Sequence, residues 1–170
     1  MKEGFVILVD ENDNNVGSLE KIEAHQKALL HRAISVFIFN SKGEWLIQRR
    51  ALNKYHSNGL WTNTCCSHPY PGETCLEAAN RRLMEEMRLK CALRKVFSFV
   101  YKEKLENGLS EHELDHVFIG VTNDAPMLNT EEAMEWRSIT FASLEQEIHN
   151  NPSQYTIWLK KIYKRVNKYI

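Results

Sequence analysis

The chain has 170 residues, enough for one compact domain whose core needs no crosslinks. Its 22 lysines and arginines balance 22 aspartates and glutamates, so no global field advertises nucleic acid or a membrane surface, and any anion must be caught locally. No apolar run approaches the roughly 20 residues of a membrane span, and the acidic start MKEGFVILVDEND does not read as a secretory signal.

The four cysteines, Cys65, Cys66, Cys75 and Cys91, are two adjacent and two isolated, which is no disulfide framework. A reducing cytoplasm is the expected compartment, where a free thiol survives as a working group.

Phe5–Val9 is an apolar run stopped by the turn cluster Asp10–Asn15, and it predicts a first strand. Ala33–Phe39 predicts a buried strand, joined through Asn40-Ser-Lys-Gly43 to a hairpin partner at Glu44–Arg49. Residues 51–72 carry little periodic apolar signal and many polar, Cys, His, Pro and Gly residues. A long irregular stretch inside a compact domain is usually functional. Thr74–Lys90 is the clearest helix, with Leu76, Ala79, Leu83 and Met87 as its core stripe.

Val96–Tyr101 and Glu113–Val121 flank the turn Glu106-Asn-Gly108 and predict two further strands, with a short one at Trp136–Ile139. Ser143–His149 and Gln154–Tyr169 predict helices. One domain over 1–170 is expected, of α/β (α+β) class, with helices packed on a mixed sheet.

Three constellations could carry chemistry. In an extended Asn63-Thr-Cys-Cys-Ser-His-Pro69, alternation sends Cys66 and His68 to one side, placing a thiol beside an imidazole. A buried structural cysteine with an incidental histidine is the plain alternative. In Glu111-His-Glu-Leu-Asp115 the same alternation puts Glu111 and Glu113 on one face, roughly 7 Å apart. Two such carboxylates repel unless a proton or cation lies between them; a solvated edge strand is the other reading. Three imidazoles, His25, His31 and His68, with these two carboxylates would suit a divalent first-row metal. Third, Arg82 and Glu86 share a face of the 74–90 helix, as a surface ion pair or as part of something larger.

Gly72-Glu73 followed by a helix with Arg81, Glu85 and Glu86 resembles the Nudix box, whose helix glutamates hold magnesium against a diphosphate. Trp61-Thr-Asn-Thr-Cys-Cys-Ser-His-Pro69 with Gly72-Glu73 resembles the signature of type I isopentenyl-diphosphate isomerases, built on that Nudix fold. The likeness extends through Leu19-Glu-Lys21 with His25, Gln48-Arg-Arg-Ala51 with Lys54, Tyr101, Glu111-His-Glu113 and Trp158, roughly Phe5 to Trp158. The box departs from the ordinary one at Ser67, Arg82 and Arg88, which stand at a glycine, a glutamate and a glycine position. The isomerases share the arginine at the Arg82 position, and its loss of a carboxylate disfavours nucleotide hydrolysis. Two further departures are the six-residue step from His25 to His31, one shorter than usual, and Tyr55-His-Ser-Asn-Gly59, which lacks an aromatic-Pro step.

The resemblance implies a Nudix-like mixed sheet flanked by helices and interconversion of isopentenyl and dimethylallyl diphosphate. Cys66, Glu113, Tyr101 and Trp158 are the implied catalytic residues, and Lys21, Arg50, Lys54 and Arg82 the diphosphate-binding ones. One divalent cation (Mn2+, Mg2+ or Zn2+) is implied at His25, His31, His68, Glu111 and Glu113, and a magnesium bridging the diphosphate through Glu86. The implied partner is a small prenyl diphosphate, bound by a monomer or weak homodimer with neither nucleic acid nor membrane. His56, His112, His116 and His149 are expected at the surface or behind the ligands. For Trp158 the alternative is plain helix packing. A Nudix-type diphosphate hydrolase and a catalytically silent prenyl-diphosphate-binding protein are the competing functions.

Overall fold

The computed structural model describes residues 4–170. In chain order the strands are β1 (Phe5–Val9), β2 (Asn15–Glu20), β3 (His31–Phe39), β4 (Trp45–Arg50), β5 (Trp61–Thr62), β6 (Cys65–Ser67), β7 (Arg94–Lys104), β8 (Ser110–Val121) and β9 (Ala133–Ile139). The helices are α1 (Lys21–Gln26), α2 (Cys75–Met87), α3 (Phe141–Asn150) and α4 (Ile157–Val166). None of these helices is long and apolar enough to cross a membrane.

All the described strands join one mixed sheet centred on β3. β3 runs parallel to β8, from His31 opposite Glu113 to Phe39 opposite Val121, and antiparallel to β1, β4 and β6. Alternation along β3 sorts its side chains onto two faces. Ile34, Val36 and Ile38 pack with Ala78, Ala79, Leu83 and Met87 of α2. Phe37 and Phe39 pack with Leu144 and Ile148 of α3 and Leu159, Ile162 and Val166 of α4. β8 repeats the pattern: Phe118 lies toward α2, and Val117 and Ile119 toward α3 and α4.

The odd-numbered face matters most for function. Its apolar part ends where α3 and α4 end. Beyond them the same face continues as His31 and Ser35 on β3 and Glu111, Glu113 and Asp115 on β8, all buried. One strand face is therefore half core and half polar site.

α2 starts on a capping box, with the Thr74 hydroxyl accepting from Glu77 N and Glu77 Oε2 accepting from Thr74 N. Before it, Gly72 sits at φ +90, a conformation that favours glycine. The helix ends at Arg88 in left-handed geometry, φ +54, at the position where the Nudix box carries its late glycine. Burial of a side chain such as Leu83 stabilises the domain by about 1.5–3 kcal/mol.

Several sequence expectations are corrected here. Leu76 is 46% exposed, and Cys75 and Ala78 on either side of it face the core instead. The irregular 51–72 stretch contains β5 and β6, two and three residues long. β2 and α1 were not expected. β2 is exposed at four of six positions and so shows no alternation, and a six-residue helix is too short to show periodicity.

Candidate active site

The imidazoles are aimed by backbone carbonyls. His25 on α1 donates from Nδ1 to Lys21 O at 2.7 Å, and His31 at the start of β3 donates from Nδ1 to Leu29 O at 2.8 Å. Each Nε2 therefore carries its lone pair inward, as metal-ligating histidines do. His25 Nε2 lies 3.4 Å from Glu111 Oε2, and His31 Nε2 lies 3.6 Å from Glu113 Oε1. His68 Nε2 is 2.8 Å from Glu113 Oε1. The short step between His25 and His31 is accommodated by a tight turn through Ala28 at φ +50, and the two rings end 4.8 Å apart.

His25 Nε2, His31 Nε2 and Glu111 Oε2 are buried and without hydrogen-bond partners. Leaving one such group unsatisfied costs about 1–3 kcal/mol. Two imidazole lone pairs and a buried carboxyl gathered together suit a cation. The donor atoms of His25, His31, His68 and Glu113 lie within 4.8 Å of one another, and those of His25, His56 and Glu111 do likewise. Nitrogen and carboxylate donors in this arrangement fit a divalent first-row metal.

Beside this cluster are the groups that can move protons. The Tyr101 hydroxyl donates to Glu113 Oε2 at 2.7 Å, an arrangement set by the cross-strand pairing of the two residues. Burial alone would raise Glu113, yet the hydrogen bond from His68 and the nearby His31 ring hold it well below the usual carboxylate range. Burial and the Glu113 charge push Glu111 well above that range. Burial takes His68 down to about 3, so its ring is neutral.

Cys66 lies on β6, paired with Ser35 of β3, which puts it on the same sheet face as His31 and Glu113. Burial pushes its thiol up to about 12. Ser35 Oγ donates to Asp115 Oδ2 at 2.7 Å, and burial followed by the Glu113 charge raises Asp115 to about 8. Trp158 of α4 is pinned by Nε1, which donates to Thr62 Oγ1 at 2.9 Å and Asn63 Oδ1 at 3.2 Å. Cys66, Tyr101, Glu113 and Trp158 line one cavity.

The other end of the cavity is basic. Lys21, Arg50, Lys54 and Arg82 line it together with Glu132. Arg82 Nη2 contacts Glu86 at 2.7 Å and Glu132 at 3.0 Å, and Lys54 Nζ contacts Glu132 at 2.5 Å. Burial, then Lys54 and Arg82, lower Lys21. Arg50 donates to Ser57 O and His56 O, and its guanidinium lies 5.3 Å from the Trp158 ring centre.

Three comparisons bear on this geometry. The NUDIX domain model matches residues 29–165. An isopentenyl-diphosphate Delta-isomerase of Pectobacterium atrosepticum is 51% identical over 164 residues, 96% of this chain and 92% of that protein. One from Serratia proteamaculans is 47% identical over 160 residues, covering 94% and 89%. The chain belongs to the isopentenyl-diphosphate Delta-isomerase family, within the NUDIX fold. Among solved structures, a Deinococcus radiodurans protein superposes with TM-score 0.79 at 22% identity, covering 95% of this chain and 98% of the other. A MutT protein of Methanosarcina mazei gives 0.67 at 19% identity, covering 82% and 94%. At those identities the likeness shows the fold alone.

The expected residues of this NUDIX isomerase-family chain converge, with one set back. Lys21, Arg50, Lys54, Cys66, His68, Arg82, Tyr101, Glu111, Glu113 and Trp158 line the cavity; His25 and His31 sit directly behind Glu111 and Glu113. Glu86 does not line it. Its Oε1 accepts from Arg82 and its Oε2 accepts from Gln48 Nε2 at 2.8 Å. Arg82–Glu86 is thus no surface pair, because Glu86 is buried. The box residues also brace the site from outside: Arg81 binds Glu73 at 2.7 Å, stacks 3.9 Å from the centre of the Tyr70 ring and donates to His68 O.

The four histidines set aside divide. His149 is exposed and His112 half-buried, donating to Ala28 O. His116 is buried on the opposite sheet face, 3.0 Å from Asp13. His56 is not at the surface: it is 6% exposed, lines the cavity, and lies 3.2 Å from Glu111 Oε1, beside one of the expected ligands. Burial, Arg50 and His25 take its ring down to about 3. Tyr55, Asp115 and Glu132 were also not singled out. The alternation that marks Glu111 and Glu113 extends to Asp115, but the irregular loop holding Tyr55 and His56 has no period to read.

Proposed function

We propose that this protein interconverts isopentenyl diphosphate and dimethylallyl diphosphate by protonating one carbon of the alkene and deprotonating another. The observation that carries this reading is the placement of Cys66 and the Tyr101–Glu113 pair in one cavity. A proton delivered from the Glu113 side to the terminal alkene carbon forms a new C–H bond and leaves a tertiary cation. Loss of a proton from the allylic carbon to Cys66 then forms the new double bond. One proton enters and one leaves, and the reverse reaction uses the same groups in opposite roles.

At rest the thiol is protonated and Glu113 ionised, which is the state a forward turn leaves behind. Protons must therefore return between turns, and exchange with solvent follows. Trp158 offers its ring to the developing cation, an interaction worth about 2 kcal/mol when desolvated, or a factor of about 30 if expressed only in the transition state. A closed cavity matters equally, since water would trap the cation as an alcohol.

His25, His31, His68, Glu111 and Glu113 would hold a divalent cation, which when bound fixes the Glu113 carboxyl and sets its proton affinity. Lys21, Arg50, Lys54 and Arg82 would receive the diphosphate, and Glu132 in the cavity lining, with Glu86 behind Arg82, would be the carboxylates for its magnesium. The guanidinium fork of Arg82 suits phosphate oxygens.

Incubation with isopentenyl diphosphate and magnesium in deuterated water, followed by NMR, tests the reading. Isomer formation with deuterium incorporation is expected. Release of phosphate or diphosphate without isomer would establish a hydrolase, and binding without deuterium uptake a silent protein.

A further inference from the structure

We infer that His56 is a fourth imidazole ligand of the His/Glu metal centre, binding the cation through Nε2 beside Glu111. The inference rests on the metal-centre reading above and adds a residue to it. His56 Nε2 approaches Glu111 Oε1 at 3.2 Å, while His25 Nε2 approaches the other oxygen, Oε2, at 3.4 Å. Glu111 is thus gripped between two imidazoles, and its Oε2 still lacks a hydrogen-bond partner despite being buried. Donor atoms of His25, His56 and Glu111 lie within 4.8 Å of one another. Opposite donors on one ion stand about 4 Å apart at ordinary metal–nitrogen distances, so a small contraction brings His25, His56 and Glu111 onto one ion, and His25 is the imidazole this group shares with His31, His68 and Glu113.

The orientation of His56 is built in. Its Nδ1 lies 3.2 Å from Ser57 Oγ, leaving Nε2 for the centre. Arg50 fastens the loop by donating to the carbonyls of His56 and Ser57. The Trp158 ring stands edge-on at 5.8 Å and the Tyr55 ring at 4.3 Å, which packs the His56 ring on two sides.

Two consequences follow. Four imidazoles and two carboxylates supply six protein donors, a nitrogen-rich set that favours manganese, iron, cobalt or zinc over magnesium. In addition, His56 shares its loop with Lys54, so ligation ties the diphosphate end of the cavity to the metal end.

The test uses the full chain, stripped by chelator and titrated with Co2+, with affinity from competition, d–d absorption for geometry, and X-ray absorption for the number of imidazoles. Wild type should show four imidazoles. His56→Ala should show three, bind Co2+ about 10–100-fold more weakly and change its d–d spectrum, while His149→Ala matches wild type. His56→Asn, of similar polarity, guards against a folding defect and should behave as His56→Ala does, with thermal unfolding of the metal-free protein unchanged. Three imidazoles in wild type, or unaltered affinity in both variants, would overturn the assignment. Weaker binding with an unchanged imidazole count would also overturn it, in favour of a hydrogen bond to Glu111. If His25→Ala weakens Co2+ binding and His56→Ala does not, only this inference fails; if neither does, the metal centre itself fails.

Discussion

The two ends of the cavity are built on opposite plans. At the His/Glu end, the donors come mainly from β3, β8 and the turn after β6, and backbone carbonyls fix the tautomers of His25 and His31. His25 Nε2, His31 Nε2 and one oxygen of Glu111 wait unpaired for a cation. At the basic end, Lys54 and Arg82 are already paired with Glu132 and Glu86, and Lys54 comes from an irregular loop. One end is preorganised by withholding partners. The other is neutralised in advance, so an anionic ligand must compete with carboxylates for its cations. Affinity there is set by exchange of charge, and at the metal end by relief of unsatisfied acceptors.

The sharpest way to break this contrast is to remove the proton-transfer groups: Cys66→Ala leaves both ends in place, whereas Glu113→Gln also alters a donor of the metal end. Cys66→Ala and Glu113→Gln should each cut turnover by about 100- to 10,000-fold, with circular dichroism unchanged; near-wild-type rates in either would remove that residue from its role. Chelation should abolish activity, and adding back a divalent cation should restore it. Thermal unfolding with and without metal should differ, by about 2.7 kcal/mol at a metal concentration 100 times the dissociation constant.

Arg82→Ala probes the neutralised end. It removes a diphosphate contact and strands Glu86 in the interior, a change that costs about 3–5 kcal/mol of stability. KM should rise at least tenfold, and urea denaturation should shift to lower midpoint. A rise in KM without loss of stability would show that Glu86 does not depend on Arg82.

Proton linkage distinguishes the ends further. Glu111 is held above the usual carboxylate range, so binding a cation displaces a proton from it and cation affinity should increase as pH increases. His68, neutral above about 3, adds nothing to that slope near neutrality. Calorimetry in buffers of different ionisation enthalpy should therefore register proton release on binding at mildly acidic pH. Smallest of all, Trp158→Phe keeps an aromatic ring but loses the bond to Thr62, worth about 1 kcal/mol, and should lower kcat several-fold.

How much of this was legible depends on which element carries each residue. Period-two alternation places Glu111 with Glu113 and Cys66 with His68, and all four line the one cavity, from β8, from β6 and from the residue after β6. Ser35 hides within an apolar run, although it lies on the face that β3 turns to the site. Lys21 and His25 come from a helix of one and a half turns, where only resemblance to a known motif points to them. His56 lies in a loop whose conformation is dictated by tertiary hydrogen bonds from Arg50, and no local pattern encodes that. α2 was readable from its stripe because it is long, apart from Leu76, which lies exposed in its first turn.

The central claim is that Cys66 and Glu113 exchange different protons of one substrate. Deuterium mapping of substrate and product by NMR, for wild type, Cys66→Ala and Glu113→Gln in deuterated water, tests it most directly. Wild type should place deuterium on both the new methyl carbon and the allylic carbon, and each variant should fail to complete the double-bond shift. Full isomerisation by either variant, or deuterium confined to one carbon in every case, would contradict the account.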